Sequence, residues 1–184
     1  MDQREARQEA LRERLADRFY REAIAGAARQ LSELLGTTVS ADQALPRSAV
    51  DAARAAYLEQ ERFHLVWRRV WGVRLRDEML ETTRRLGSAT PDRAQLVWMW
   101  WDREHKPVAR TAVAFEVETA TVLSQLPRHL GPPPGDVGPG GVGSDLLLVS
   151  ADGSSGVHLD YEHHADRDEY EMLVWGAFAR PVLP

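Results

Sequence analysis

Apolar positions recur at helical spacing through the first half of the chain and alternate with polar ones through the last third. From Asp2 to Leu35 no proline interrupts a run rich in Ala, Arg, Glu, Gln and Leu, all good helix formers. Leu11, Leu15 and Phe19 lie at i, i+4 spacing, and Tyr20, Ile24, Ala28, Leu31 and Leu35 continue on a rotated face. That drift predicts either a helix wrapped by different neighbours or a break near Gly26, with Gly36 as the C-cap. Ser40-Ala41-Asp42-Gln43 fits one capped helical turn, and Ser48 with Asp51 fits the start of a second helix. The second helix is expected from Ala49 to about Trp71, continuing to Leu86 before Gly87. Val50, Ala53, Tyr57, Trp71, Leu75, Met79 and Leu86 form one stripe, with Phe63, Val66 and Val70 opposite it. A segment apolar on two sides is buried between layers, so residues 61–72 are expected between the first helix and a sheet.

The pattern then changes period. Gln95 to Asp102 (QLVWMWWD) reads as an aromatic-rich strand, and Val108 to Val117 alternates as its hairpin partner. Thr119 to Leu126 suits a short helix ended by Pro127. Leu146 to Val149 is a short apolar run, as in a strand buried on both sides. Ala151 to Gly156 is turn material containing Asp152-Gly153. Val157, Leu159 and Tyr161 then alternate with His158, Asp160 and Glu162. His163 to Asp168 is polar and can turn the chain. In the return strand, Tyr170, Met172 and Val174 are assigned to the core side. Glu169, Glu171, Leu173 and Trp175 then share the outer side with His158, Asp160 and Glu162; a slip of one residue would reverse this.

These elements predict an α+β fold: an N-terminal helical layer of two to three long helices packed on an antiparallel sheet of about five strands. The length of 184 residues suits a single domain. It divides into a helical region at 1–87 and a sheet region at 88–184, with a Pro/Gly-rich loop at 128–143 that holds four Pro and six Gly.

Composition narrows the function classes. The chain has no cysteine, which excludes disulfides, thiolate metal sites and a cysteine nucleophile. Its charged first residues do not read as a signal peptide, and no run of about 20 apolar residues could span a membrane, so a cytoplasmic chain is expected. Lys106 is the one lysine beside twenty-two arginines, a codon bias expected of a GC-rich bacterial genome. The net charge of −5 speaks against non-specific nucleic-acid binding. Charge is also uneven. Residues 1–87 hold sixteen Arg and fourteen acids, whereas residues 144–178 hold eight acids and one Arg, a balance of −7.

The candidate chemistry follows from that asymmetry. An acidic sheet face made of Asp160, Glu162, Glu169 and Glu171, with Leu173 and Trp175 exposed beside them, would suit a basic protein partner. The expected function is a non-enzymatic interaction module, with the character of a small acidic bacterial immunity or inhibitor protein that neutralises a cationic toxin. No cofactor is called for under this reading. An alternative is a metal- or small-ligand-binding protein or enzyme, because imidazole and carboxylate two residues apart on a strand can converge on a divalent ion. His158, Asp160 and His163 would be its ligands, within a His-rich turn that includes His164 and Asp166. A third reading is a helical scaffold or chaperone whose long helices carry the contacts. Trp98, Trp100 and Trp101 read first as core and only secondarily as a stacking platform. No G-x-S-x-G supports nucleophilic catalysis.

Overall fold

The Ala-, Arg- and Glu-rich segment forms one unbroken helix, α1 (Gln3–Leu35), which runs straight through Gly26. Gly36 ends it with φ +64°, a conformation that costs glycine no Cβ strain. The Val39 amide then donates to Ser32 Oγ at 2.8 Å, turning the chain back on the helix. Ser40 and Gln43 form a reciprocal capping box around a 3-10 turn, Ala41–Gln43. The structure, a computed structural model, describes residues 3–63, 67–71, 75–87, 91–100, 111–129, 145–163 and 168–180.

Helix α2 (Arg47–Phe63) follows directly on Pro46, so Ser48 lies within its first turn and is not its cap. Here the expected helical continuation fails. Residues 67–71 are not a buried helix but a strand, β1 (Trp67–Trp71), and a separate helix α3 (Leu75–Gly87) follows. Tryptophan at both ends and Val70 between them suit an extended backbone, and pairing with a strand from the far end of the chain decides the matter. The helical region at 1–87 thus lends one strand to the sheet. His64 and Val66 lie outside the described residues.

The remaining elements are β2 (Arg93–Trp100), β3 (Thr111–Glu118), α4 (Thr119–Gln125), β4 (Asp145–Val149), β5 (Gly156–His163) and β6 (Asp168–Trp175). The fold is α+β, as expected, with a six-stranded sheet in the order β1-β6-β5-β4-β2-β3. Every pairing in it is antiparallel. The hairpin of β2 and β3 is present, and α4 runs into a 3-10 turn that contains Pro127. Trp101 and most of the 128–143 loop lie outside the described residues.

Helices cover both faces of the sheet, not one. Trp98 donates from Nε1 to Gln30 Oε1 at 3.1 Å, which sets α1 on the face of Trp98. His158 lies on the opposite face, in register with Leu147 and, one strand further, Val97. The ring of Tyr57 stands 4.5 Å from the His158 ring, which sets α2 on that second face. On the α1 face Leu96, Trp98, Phe115, Leu146, Leu148, Val157, Leu159 and Val174 are fully buried.

The outer edge of β3 is also covered. Ala44 bridges Phe115, and the Leu45 amide donates to the Ala114 carbonyl at 2.8 Å. Tyr20 locks this strap, donating its hydroxyl to the Leu45 carbonyl at 2.7 Å. Covering an edge in this way removes a template for unwanted strand addition.

Candidate functional site

The site is built from β5, β6 and the turn that precedes them. In that turn Gly153 takes φ +74°, as Asp-Gly predicts. Asp152 Oδ1 accepts from Ser150 Oγ at 2.6 Å, Ser154 Oγ at 2.8 Å and the Ser154 amide at 3.0 Å. Ser150 first, then Ser154, stabilise the carboxylate and hold its pKa at about 2, below the ordinary 3.8. A lowered folded-state value stabilises the fold above the ordinary carboxylate pKa, and that contribution is lost as pH falls. Asp152→Ala is therefore expected to lower the thermal midpoint at pH 6. The gap to the parent should close as pH falls from 3.8 to about 2, followed by circular dichroism. A gap that persists unchanged at the acid end would show that the carboxylate charge is not its cause.

The register of β5 and β6 is the expected one. His158 faces Leu173, Asp160 faces Glu171 and Glu162 faces Glu169. The neighbouring ladders extend these rows: Asp145 on β4 lies opposite Asp160, and Arg69 on β1 lies opposite Glu171. One row across four strands thus reads Asp145, Asp160, Glu171, Arg69. The next row along the strands reads Glu162, Glu169, Trp71. Asp160 and Glu171 are half-buried. The sequence pattern foreshadowed the carboxylates of β5 and β6. It does not point to Arg69, because the pattern of residues 67–71 also fits a helix, nor to Tyr57, because nothing local to α2 says which strand it meets.

Two of the six expected binding residues are not where they were expected. Leu173 and Trp175 do lie on the second face, but both are buried, at 1% and 3% exposure. The reason for Trp175 lies on the neighbouring strand. A Cβ at Gly156 would overlap Cζ2 and Cη2 of Trp175, so the indole rests directly on the bare Cα of its cross-strand partner. Its Nε1 donates to the Gly153 carbonyl at 3.1 Å, satisfying the buried N–H. Just beyond, Gly176 takes φ +59° where a side chain would overlap the Ser154 carbonyl, and the Ala177 amide donates to Ser155 Oγ at 3.0 Å. Leu173 sits beside His158, in the row that α2 roofs through Tyr57. The apolar end of this face is therefore core, while Asp160 and Glu171 further along it are half-buried.

The metal reading concerns His158, Asp160 and His163. His163 does not begin a turn; it is the last residue of β5 and pairs with Asp168. Among the described residues no group of three His, Cys, Asp or Glu is placed to hold a metal ion. His164 and Asp166 lie outside the described residues. Trp98 is core, hydrogen-bonded to α1, and does not offer a stacking surface.

No helix among the described residues is long and apolar enough to cross a membrane. No protein-family model, curated protein or solved structure matches the chain, so its fold and side chains alone carry the functional reading.

Proposed function

We propose that this chain is a non-enzymatic interaction module that meets a basic protein partner through the acidic rows of β5 and β6. An immunity or inhibitor protein facing a cationic toxin is the kind of role that such a surface serves. One observation carries the reading: Asp160 faces Glu171 and Glu162 faces Glu169 in adjacent rows of the sheet. Carboxylates set opposite one another in this way offer a single sign of charge to the arginine or lysine of a partner. The surrounding segment, 144–178, concentrates the field further with its balance of −7. Such a field speeds encounter with a cationic surface and weakens as salt is added.

The test is capture of a partner from the native host by the immobilised chain at low and moderate salt. The parent chain should retain a basic protein at low salt. A double reversal, Asp160→Lys with Glu171→Lys, should lower that retention at least about tenfold, because a cationic partner then meets like charge. Circular dichroism of the variant checks that it folds. Absence of any partner, or a partner indifferent to the reversal, counts against the reading.

A further inference from the structure

A second surface lies on α1 and has the opposite character. The first buried side chain of this helix is Tyr20; residues 4–19 are exposed apart from half-buried Ala6 and Ala16. Yet the sequence there is not uniformly polar. Leu11, Leu15 and Phe19 stand 58%, 43% and 49% exposed. At 3.6 residues per turn the three fall within about 40° of Leu15, so they form one narrow stripe about 12 Å long. Leu11→Leu15→Phe19 spacing normally marks a face that needs cover, and here no described residue buries it.

The flanks of the stripe are arginine. Arg12 lies about 60° to one side of Leu15, and Arg18 and Arg7 lie about 60–80° to the other. Glu9, Glu13 and Asp17 occupy the reverse of the helix, where Asp17 Oδ1 stands 3.6 Å from Arg47 Nη1 at the start of α2, whereas Glu5 lies about 80° from Leu15 on the Arg12 side and Glu22 about 20° from it, beyond Phe19. Arg12 and Arg18 do approach Glu9 and Glu22, but their side chains remain 77% and 69% exposed. Exposed pairs of this kind contribute little and exchange readily.

We propose that the first five turns of α1 form a ligand helix for an apolar groove rimmed by carboxylates on another protein. Leu11, Leu15 and Phe19 enter the groove as anchors at successive helical turns, and the arginines meet its rim, the usual division of labour when a helix docks in a groove. Two other occupants fit less well. Stripe-on-stripe pairing of two copies would set arginine flanks against arginine flanks. An anionic bilayer needs a net-positive helix, whereas residues 4–22 hold six Arg and five acids. This surface is separate from the acidic rows and does not depend on the role proposed for them.

The probe is a synthetic amphipathic peptide of about five helical turns, with leucines along one stripe and glutamates on both flanks. Its control carries lysine at every glutamate position. Anisotropy of the labelled peptide against the full chain should show saturable binding that weakens with salt. Binding should be at least about tenfold weaker for the lysine peptide and for the Leu15→Asp and Phe19→Asp variants. Both sites are exposed, so the thermal midpoint of each variant should stay that of the parent. Equal affinity for the two peptides, or no saturation, overturns the proposal. So does a concentration-dependent dimer in sedimentation that Leu15→Asp dissolves, which assigns the stripe to a second copy. Binding to phosphatidylglycerol vesicles that Leu15→Asp abolishes overturns it in favour of a bilayer.

Discussion

Gly156→Ala is expected to destabilise the fold by about 3 kcal/mol, the upper end for overpacking a filled core. The methyl group would overlap two ring carbons of Trp175 and stand 2.8 Å from the Leu148 carbonyl oxygen. Neither obstacle is the free end of a flexible chain. The indole is 3% exposed and tied by its N–H to Gly153, and the carbonyl belongs to the adjacent strand. Trp175→Ala alone should cost about 3–5 kcal/mol through the cavity it leaves. The informative measurement is the double mutant by urea unfolding. With the indole gone, the Gly156 methyl has space on one side, so the combined cost should fall short of the sum by at least about 1 kcal/mol. Strict additivity would mean that the ring does not rest on Gly156. The same cycle tests whether Trp175 is core or contact surface, since an exposed indole would leave stability almost untouched when removed.

Trp98→Ala should have an effect of similar size, about 3–5 kcal/mol, for a different reason. Trp98 is fully buried and is the largest fully buried side chain among the described residues. It fills volume between β2 and α1 and donates its N–H to Gln30. Trp98→Phe keeps most of the volume and loses the donor, so it should cost only about 1–2 kcal/mol. A ratio near one between the two variants would show that the hydrogen bond dominates. A cost below about 1 kcal/mol for Trp98→Ala would be incompatible with its place between sheet and helix. Because Gln30 lies in the packed part of α1, these variants should loosen the helix while leaving the chemistry of the Leu11–Phe19 stripe unchanged.

The strand pair β5–β6 was legible because its alternation is strict and its turn chemistry local. Val157, Leu159, Met172 and Val174 share one face in the register observed, which also sets Asp160 against Glu171. The capping box at Ser40 and Gln43 and the left-handed Gly36 were equally local. Burial of Trp175 was not legible, since it depends on a glycine that lies nineteen positions earlier and directly opposite in the sheet. An alternating strand says which residues share a face but not how far that face is covered. Cover comes from α2, whose Tyr57 reaches His158 across roughly a hundred positions of sequence.

Residues 67–71 failed for a related reason. Five residues with aromatics at both ends satisfy a helical stripe and an extended strand alike, and only the open edge of β6 chooses between them. Arg69 became the neighbour of Glu171 through that choice. The stripe on α1 is the reverse case: its periodicity promised burial, and Leu11, Leu15 and Phe19 stay exposed.

What the amino-acid order determined by itself was periodicity, turn conformation and the sign of charge along each element, because these depend on bonds and contacts within a few residues. Which faces meet, which indole is enclosed and which leucines stay in water were decided only by the tertiary structure. Burial is a relation between segments far apart in the chain, and no local pattern contains its partner.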